Sequence, residues 1–123
     1  MPHIKIRGLD QKTVNQFSKE LIERVAEIMG YPKTHITLEQ SLSHFFVSAG
    51  NPAPSPVIEI FWLELGTPIK QRTVNTITSI IRRKTGISGN ITVIFFDKSD
   101  QEFFMNGQCF DSSIDRRETL NPA

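Results

Sequence analysis

Pro2 is the residue whose chemistry depends most on its position. It follows Met1 and heads the run Pro2-His3-Ile4-Lys5-Ile6-Arg7, in which apolar and polar residues alternate. Removal of Met1 would leave Pro2 as a secondary amine. An ordinary α-amino group titrates near pH ~8. Burial among apolar groups, or nearby cations, disfavours its protonated form. Such an amine is a base, or a nucleophile towards carbonyl carbon, near neutral pH. With Met1 attached the nitrogen is an amide and has neither property. Proline also suits a structural role here, since it opens an edge strand where its missing N–H costs nothing. Phe61 and Trp62 are candidates to wall an apolar pocket around Pro2, although large aromatics on an apolar strand equally serve packing. His3, Lys5 and Arg7 share one strand face, which looks either into the site or into water.

Other chemistries find less support. His3, His35 and His44 lack a metal-ligand spacing such as His-x-x-x-His. No glycine-rich phosphate loop occurs, and Asp111, Asp115 and Glu118 establish no paired-carboxylate site. Cys109 is the single cysteine, which excludes an intramolecular disulfide and a cysteine-based zinc cage. No metal or cofactor is expected. The net charge of +1 gives no strong field for nucleic acid or an anionic membrane. The longest apolar stretch, 91–96, is far too short to span a bilayer.

The elements that would position Pro2 come in two similar sets. Gln11-Lys12-Thr13-Val14-Asn15 recurs as Gln71-Arg72-Thr73-Val74-Asn75, 60 residues later. Pro2-His3-Ile4-Lys5-Ile6 resembles Pro56-Val57-Ile58-Glu59-Ile60, and His35-Ile36-Thr37-Leu38 resembles Asn90-Ile91-Thr92-Val93. Three matches in the same order read as two copies of one strand–helix–strand unit, about 2–50 and 56–105, within one domain over 1–123.

In the first unit a strand over 2–8 precedes a helix capped by Asp10, with Val14, Phe17, Leu21, Val25 and Ile28 on its apolar stripe. Gly30 ends the helix and Tyr31-Pro32 prevents its continuation. A strand starts at His35 or Ile36, and 42–47 forms a separate short strand beyond the polar Glu39-Gln40-Ser41. A linker over 48–56 leads to a strand over 57–65. Thr67 then caps a helix with Pro68 in its first turn, Ile69, Thr73, Ile77, Ile80 and Ile81 buried, and Gly86 as its stop. The run 91–96 has no polar face and reads as an interior strand; 101–105 reads as a short returning strand, and the chain from Asn106 is a mostly polar tail.

Two such units make an α+β fold, a four-stranded mixed sheet with two helices on one face. The other sheet face would need covering, most economically by further copies of the chain.

With Pro2, the tandem units, Gly30-Tyr31-Pro32 before Ile36, and Asn90-Ile91-Thr92-Val93-Ile94-Phe95-Phe96-Asp97, the sequence resembles the tautomerase superfamily over roughly 2–97. That superfamily includes 4-oxalocrotonate tautomerase, 5-carboxymethyl-2-hydroxymuconate isomerase and macrophage migration inhibitory factor. The resemblance points to a small bacterial family within it. It implies a homotrimer with a β-barrel core, and a terminal proline that shuttles a proton on an enol or α-keto acid. It implies substrate-binding roles for Lys12, which stands where 4-oxalocrotonate tautomerase has an arginine, for its counterpart Arg72, and for Lys33. Thr37 stands where that enzyme has a second arginine. Tyr31, Thr92 and Ile94 replace a lysine, a tyrosine and an asparagine of the migration-inhibitory-factor branch.

The expected protein is therefore a cytoplasmic homotrimer with Pro2 as general base and Lys12, Arg72, Lys33 and Trp62 as substrate-binding residues. Its partner would be a small carboxylate-bearing molecule. The alternatives are an iminium-forming use of Pro2, and a non-catalytic binding or structural trimer on the same scaffold.

Overall fold

Local signals build both helical segments. The computed structural model describes residues 2–48, 50 and 53–109. After strand β1 (His3–Arg7), the Asp10 carboxylate accepts from the Thr13 N–H at 2.8 Å and starts helix α1 (Gln11–Asn15). The apolar stripe predicts one helix from here to Gly30. Instead the turn tightens: Gln16 and Phe17 donate to Thr13 and Val14 carbonyls, three residues back, and Phe17 leaves helical geometry (φ −131°). Helix α2 (Ser18–Met29) resumes with Leu21, Val25, Ala26 and Met29 buried, so Met29 takes the place expected for Ile28. Gly30 ends α2 in the left-handed region (φ 78°), which a side chain would disfavour.

A tight turn over Lys33–His35 then delays strand β2 (Thr37–Ser41), which begins after His35 and Ile36. It runs straight through Glu39-Gln40-Ser41. Those polar residues have partners elsewhere in the fold: Glu39 meets His3, and the Gln40 amide donates to the Leu9 carbonyl at 2.9 Å. The expected strand over 42–47 does not form; Val47 makes only an isolated bridge to Gly50. In the linker, residues 49, 51 and 52 lie outside the described residues.

Strand β3 (Val57–Leu63) ends two residues earlier than expected. Gly66, not Thr67, is the cap position of helix α3 (Thr67–Thr85); its N–H donates to the Glu64 carboxylate at 2.7 Å. Thr73, Ile77, Ile80 and Ile81 of α3 are buried, Ile69 is half-buried, and Gly86 closes the helix at φ 72°. Strand β4 (Thr92–Lys98) follows. The returning segment does not rejoin the sheet. After a turn at Asp100–Glu102, β5 (Phe104–Met105) pairs with β6 (Gln108–Cys109) in a separate ribbon. The polar tail beyond Cys109, with Asp111, Asp115 and Glu118, lies outside the described residues.

The main sheet has the order β2-β1-β3-β4. The pairs β1–β2 and β3–β4 are parallel, each joined over helix, and β1–β3 is antiparallel. The apolar run in β4 thus belongs to an edge strand, and the interior strands are β1 and β3. Apolarity reports what covers a strand's faces, and carries no information about its neighbours within the sheet. Ile4, Ile6, Ile58, Ile60 and Trp62 all point to the helices and are at most 1% exposed, which places the core between sheet and helices on one side.

The repeated pentapeptide sits differently in the two halves. It forms the whole of α1 but begins at the fifth residue of α3, and it buries Val14 in one place and Thr73 in the other.

The other sheet face has two characters. On β1 and β2, His3 meets Thr37 and Glu39, and Arg7 Nε donates to Glu59 of β3 at 3.0 Å. On β3 and β4 the rings of Phe61 and Phe96 stack at 4.6 Å, and Ile94 is 40% exposed. Ile77→Ala, which would empty a fully buried site against the sheet, is expected to destabilise the fold by about 2–5 kcal/mol in urea denaturation.

Candidate functional site

Strand directions gather the candidate residues at one end of the sheet. β1 and β2 start at that end, while β3 and β4 finish there and α3 begins there. Pro2 is buried, in the same alternating phase as Ile4 and Ile6, and its carbonyl accepts from the Thr37 N–H at 3.3 Å. His3 pairs with Phe61, so the next step of the register sets Pro2 beside Trp62, and Trp62 pairs with Asp97 on β4. Pro2, Trp62 and Asp97 therefore form one row across three strands.

The row is tied together by side chains. The Trp62 indole, 1% exposed, donates from Nε1 to Asp97 Oδ1 at 2.6 Å. Lys70, from the first turn of α3, donates from Nζ to Asp97 Oδ2 at 3.3 Å. The same ammonium lies 5.7 Å from the Trp62 ring centroid and 5.3 Å from that of Phe95, in range for cation–π attraction. The rings of Trp62 and Phe95 are themselves 4.8 Å apart. The indole N–H is the main cause that holds the Asp97 carboxyl below its ordinary range; partial burial opposes it, and the Lys70 ammonium adds to the lowering. Asp97 is thus an anion at neutral pH and a holder of other groups, with no proton to give. Lys70 keeps further N–H donors beyond the one that Asp97 takes.

Of the residues expected at the site, the fold brings Pro2 and Trp62 together. Lys33 stands at the same end, in the turn after α2, but is exposed and 3.9 Å from Glu23. Arg72 is exposed in the second turn of α3. Lys12 lies in α1, past the far end of β1; five strand residues span about 17 Å, so it does not meet Pro2 of its own chain. His3, Lys5 and Arg7 face away from the helices, on the open side of the sheet. Phe61 faces that side too, stacked on Phe96.

Neither Lys70 nor Asp97 stands out in the sequence as a site residue. They are 27 residues apart, and only the β3–β4 register and the start of α3 join them.

A separate cleft of about 340 Å3 opens at the opposite end, lined in part by Gly8, Leu9, Leu42, Phe45 and Pro54. Gly8 is required there. Its φ is +95°, and a Cβ would approach Phe45 to 2.9 Å and the Pro56 backbone to 3.1 Å. Among the described residues no cluster of His, Cys, Asp and Glu could hold a metal ion, and no helix is long and apolar enough to cross a membrane.

The chain belongs to the family described as Domain of unknown function (DUF1904), which matches residues 1–109. A solved DUF1904 structure from Sebaldella termitidis superposes with a TM-score of 0.81 at 22% identity, over 89% of this chain and 100% of that one. Macrophage migration inhibitory factor of Toxoplasma gondii gives a TM-score of 0.74 at 17% identity, over 88% of this chain and 99% of that one. A fused 4-OT, described as a wild-type asymmetric trimer, gives 0.75 at 15% identity, over 87% and 94%. The fold is thus tautomerase-like. No curated protein matches the sequence.

Trp62 is the sole tryptophan, so its emission reports this row directly. A depressed folded-state pKa means that Asp97's contribution is present above the ordinary value of 3.8 and is lost as pH falls through the folded value. Trp62 emission should therefore change as pH falls, with a midpoint below 3.8. Asp97→Asn should remove that step.

Proposed function

We propose that the protein is a cytoplasmic keto–enol tautomerase in which the Pro2 nitrogen, freed by loss of Met1, is the general base for a small enol or α-keto acid. One observation carries this reading: the residue that would become a secondary amine is buried at the head of a central strand, next to Trp62 in the strand register. Burial disfavours an ammonium there, so the amine would be neutral near pH 7. A neutral amine can take the proton from the enol oxygen, or from carbon next to a carbonyl, and return it at the other position. The substrate is isomerised with no net loss of atoms or charge. Nearby N–H donors would stabilise the enolate oxygen in between. Pro56, which the sequence pattern makes Pro2's counterpart, follows Ser55 within the chain, and its tertiary amide nitrogen is not basic. Each chain therefore carries one such base.

We propose further that the protein works as a homotrimer with the open sheet faces turned inward. Phe61, Phe96 and Ile94 give that face an apolar half that a monomer leaves in water. The fused 4-OT of the same fold is itself an asymmetric trimer. In such an assembly Lys12 of one copy would be free to approach a neighbour's Pro2. The partner is a small molecule bearing a carboxylate.

Two measurements test the base. Intact mass of the untagged native protein is expected to lack Met1, and Pro2→Ala is expected to slow phenylpyruvate tautomerisation by about 100-fold or more. The wild-type rate should rise with pH through an amine pKa below ~8. Retention of Met1, or an unchanged rate in Pro2→Ala, would instead favour a non-catalytic binding module.

A further inference from the structure

We propose that Lys70 is the anion-binding residue of the Pro2 site, held in place by Trp62 and Asp97, and that it selects substrates with a carboxylate. The inference rests on the reading of Pro2 as the reacting end of the molecule, and adds the group that would orient the substrate.

Trp62 is the side chain between Pro2 and Asp97 in the row across the sheet, and the Lys70 ammonium lies over that indole. Neighbouring strands are about 4.8 Å apart, and the ammonium is bound to Asp97, two strands from Pro2 with the Trp62 indole between them. A molecule that presents an acidic carbon to the Pro2 nitrogen and extends across the indole would bring its carboxylate to Nζ.

A free surface lysine loses much rotamer entropy on binding an anion. Lys70 is already restrained by one carboxylate oxygen and two aromatic faces. Asp97 is fixed in turn by the indole N–H at 2.6 Å. Among the described residues only Asp97 takes a hydrogen bond from the ammonium, and the side chain keeps 32% of its exposure. Lys33 and Arg72 lack this fixation: Lys33 is 63% exposed with a distant partner, and Arg72 stands exposed on its helix. Trp62 and Asp97 are positioning residues in this account, because they act through Lys70. The indole N–H is occupied by Asp97 and so is not spare for the substrate.

The test uses the full-length protein lacking Met1, with Trp62 emission as the readout. The probes are 3-phenylpropanoate and its neutral analogue 3-phenylpropanamide. The wild type should bind the acid saturably and more tightly than the amide. Lys70→Met should weaken the acid by about tenfold or more, the loss expected of a charge-assisted hydrogen bond, and leave the amide unchanged. Lys70→Arg should recover most of the acid affinity. Thermal melting of each variant establishes that it is folded. Equal binding of acid and amide by the wild type, no saturable response to the acid, or undiminished acid binding by Lys70→Met would each overturn the proposal. Pro2→Ala separates the two readings. If it keeps acid binding but loses phenylpyruvate turnover, both hold. Turnover that survives Pro2→Ala while Lys70→Met loses the acid removes the base reading alone. Acid binding that survives Lys70→Met while Pro2→Ala loses turnover removes the Lys70 proposal alone.

Discussion

The antiparallel pairing of β1 with β3 is the constraint on which the rest of the structure depends. It joins two parallel strand pairs into one sheet, and its register brings Ile4 opposite Ile60 and Ile6 opposite Ile58. All four are fully buried under the helices. A slip of one residue would turn these isoleucines to the open face and bring His3, Lys5 and Arg7 into the core, so burial specifies the register strongly. The same register continues one step past His3 and sets Pro2 beside Trp62. Core packing and site geometry are therefore a single arrangement.

The two faces of the sheet are held by different physics. The helix face is sealed by aliphatic and aromatic side chains, each adding about 1.5–3 kcal/mol when fully buried. The opposite face carries small polar sets. A carboxylate only accepts, so His3 Nε2 carries the proton towards Glu39 at 2.7 Å, and in neutral His3 the Nδ1 accepts from the Thr37 hydroxyl at 2.6 Å. That contact with His3 holds the Glu39 carboxyl below its usual range. Such half-exposed pairs add little stability; they set direction and register on a face whose other half, Phe61 with Phe96, is apolar.

What the sequence could disclose followed the range of the interactions involved. Asp10, Gly30 and Gly86 were legible because a cap or a stop is decided within four residues. The inward stripes of α2 and α3 were legible through their period, apart from the shift to Met29 that the break at Phe17 imposes. Strand order was not legible. The apolar run in β4 suits a covered strand at any place in a sheet, and the polar run in β2 has partners more than 30 residues away. The site divided in the same way. Pro2 and Trp62 could be named from their types and surroundings. Lys70 and Asp97 look like ordinary surface charges until the β3–β4 register and the first turn of α3 bring them together.

Everything chemical in this account reduces to whether the Pro2 nitrogen is an amine that loses its proton near neutral pH. NMR of protein labelled with 15N-proline observes that atom itself. The account predicts one proline nitrogen whose shift titrates with a midpoint below the ~8 of an ordinary α-amino group, and that is lost in Pro2→Ala. A set of proline nitrogens that all stay at amide shifts across the pH range would contradict it.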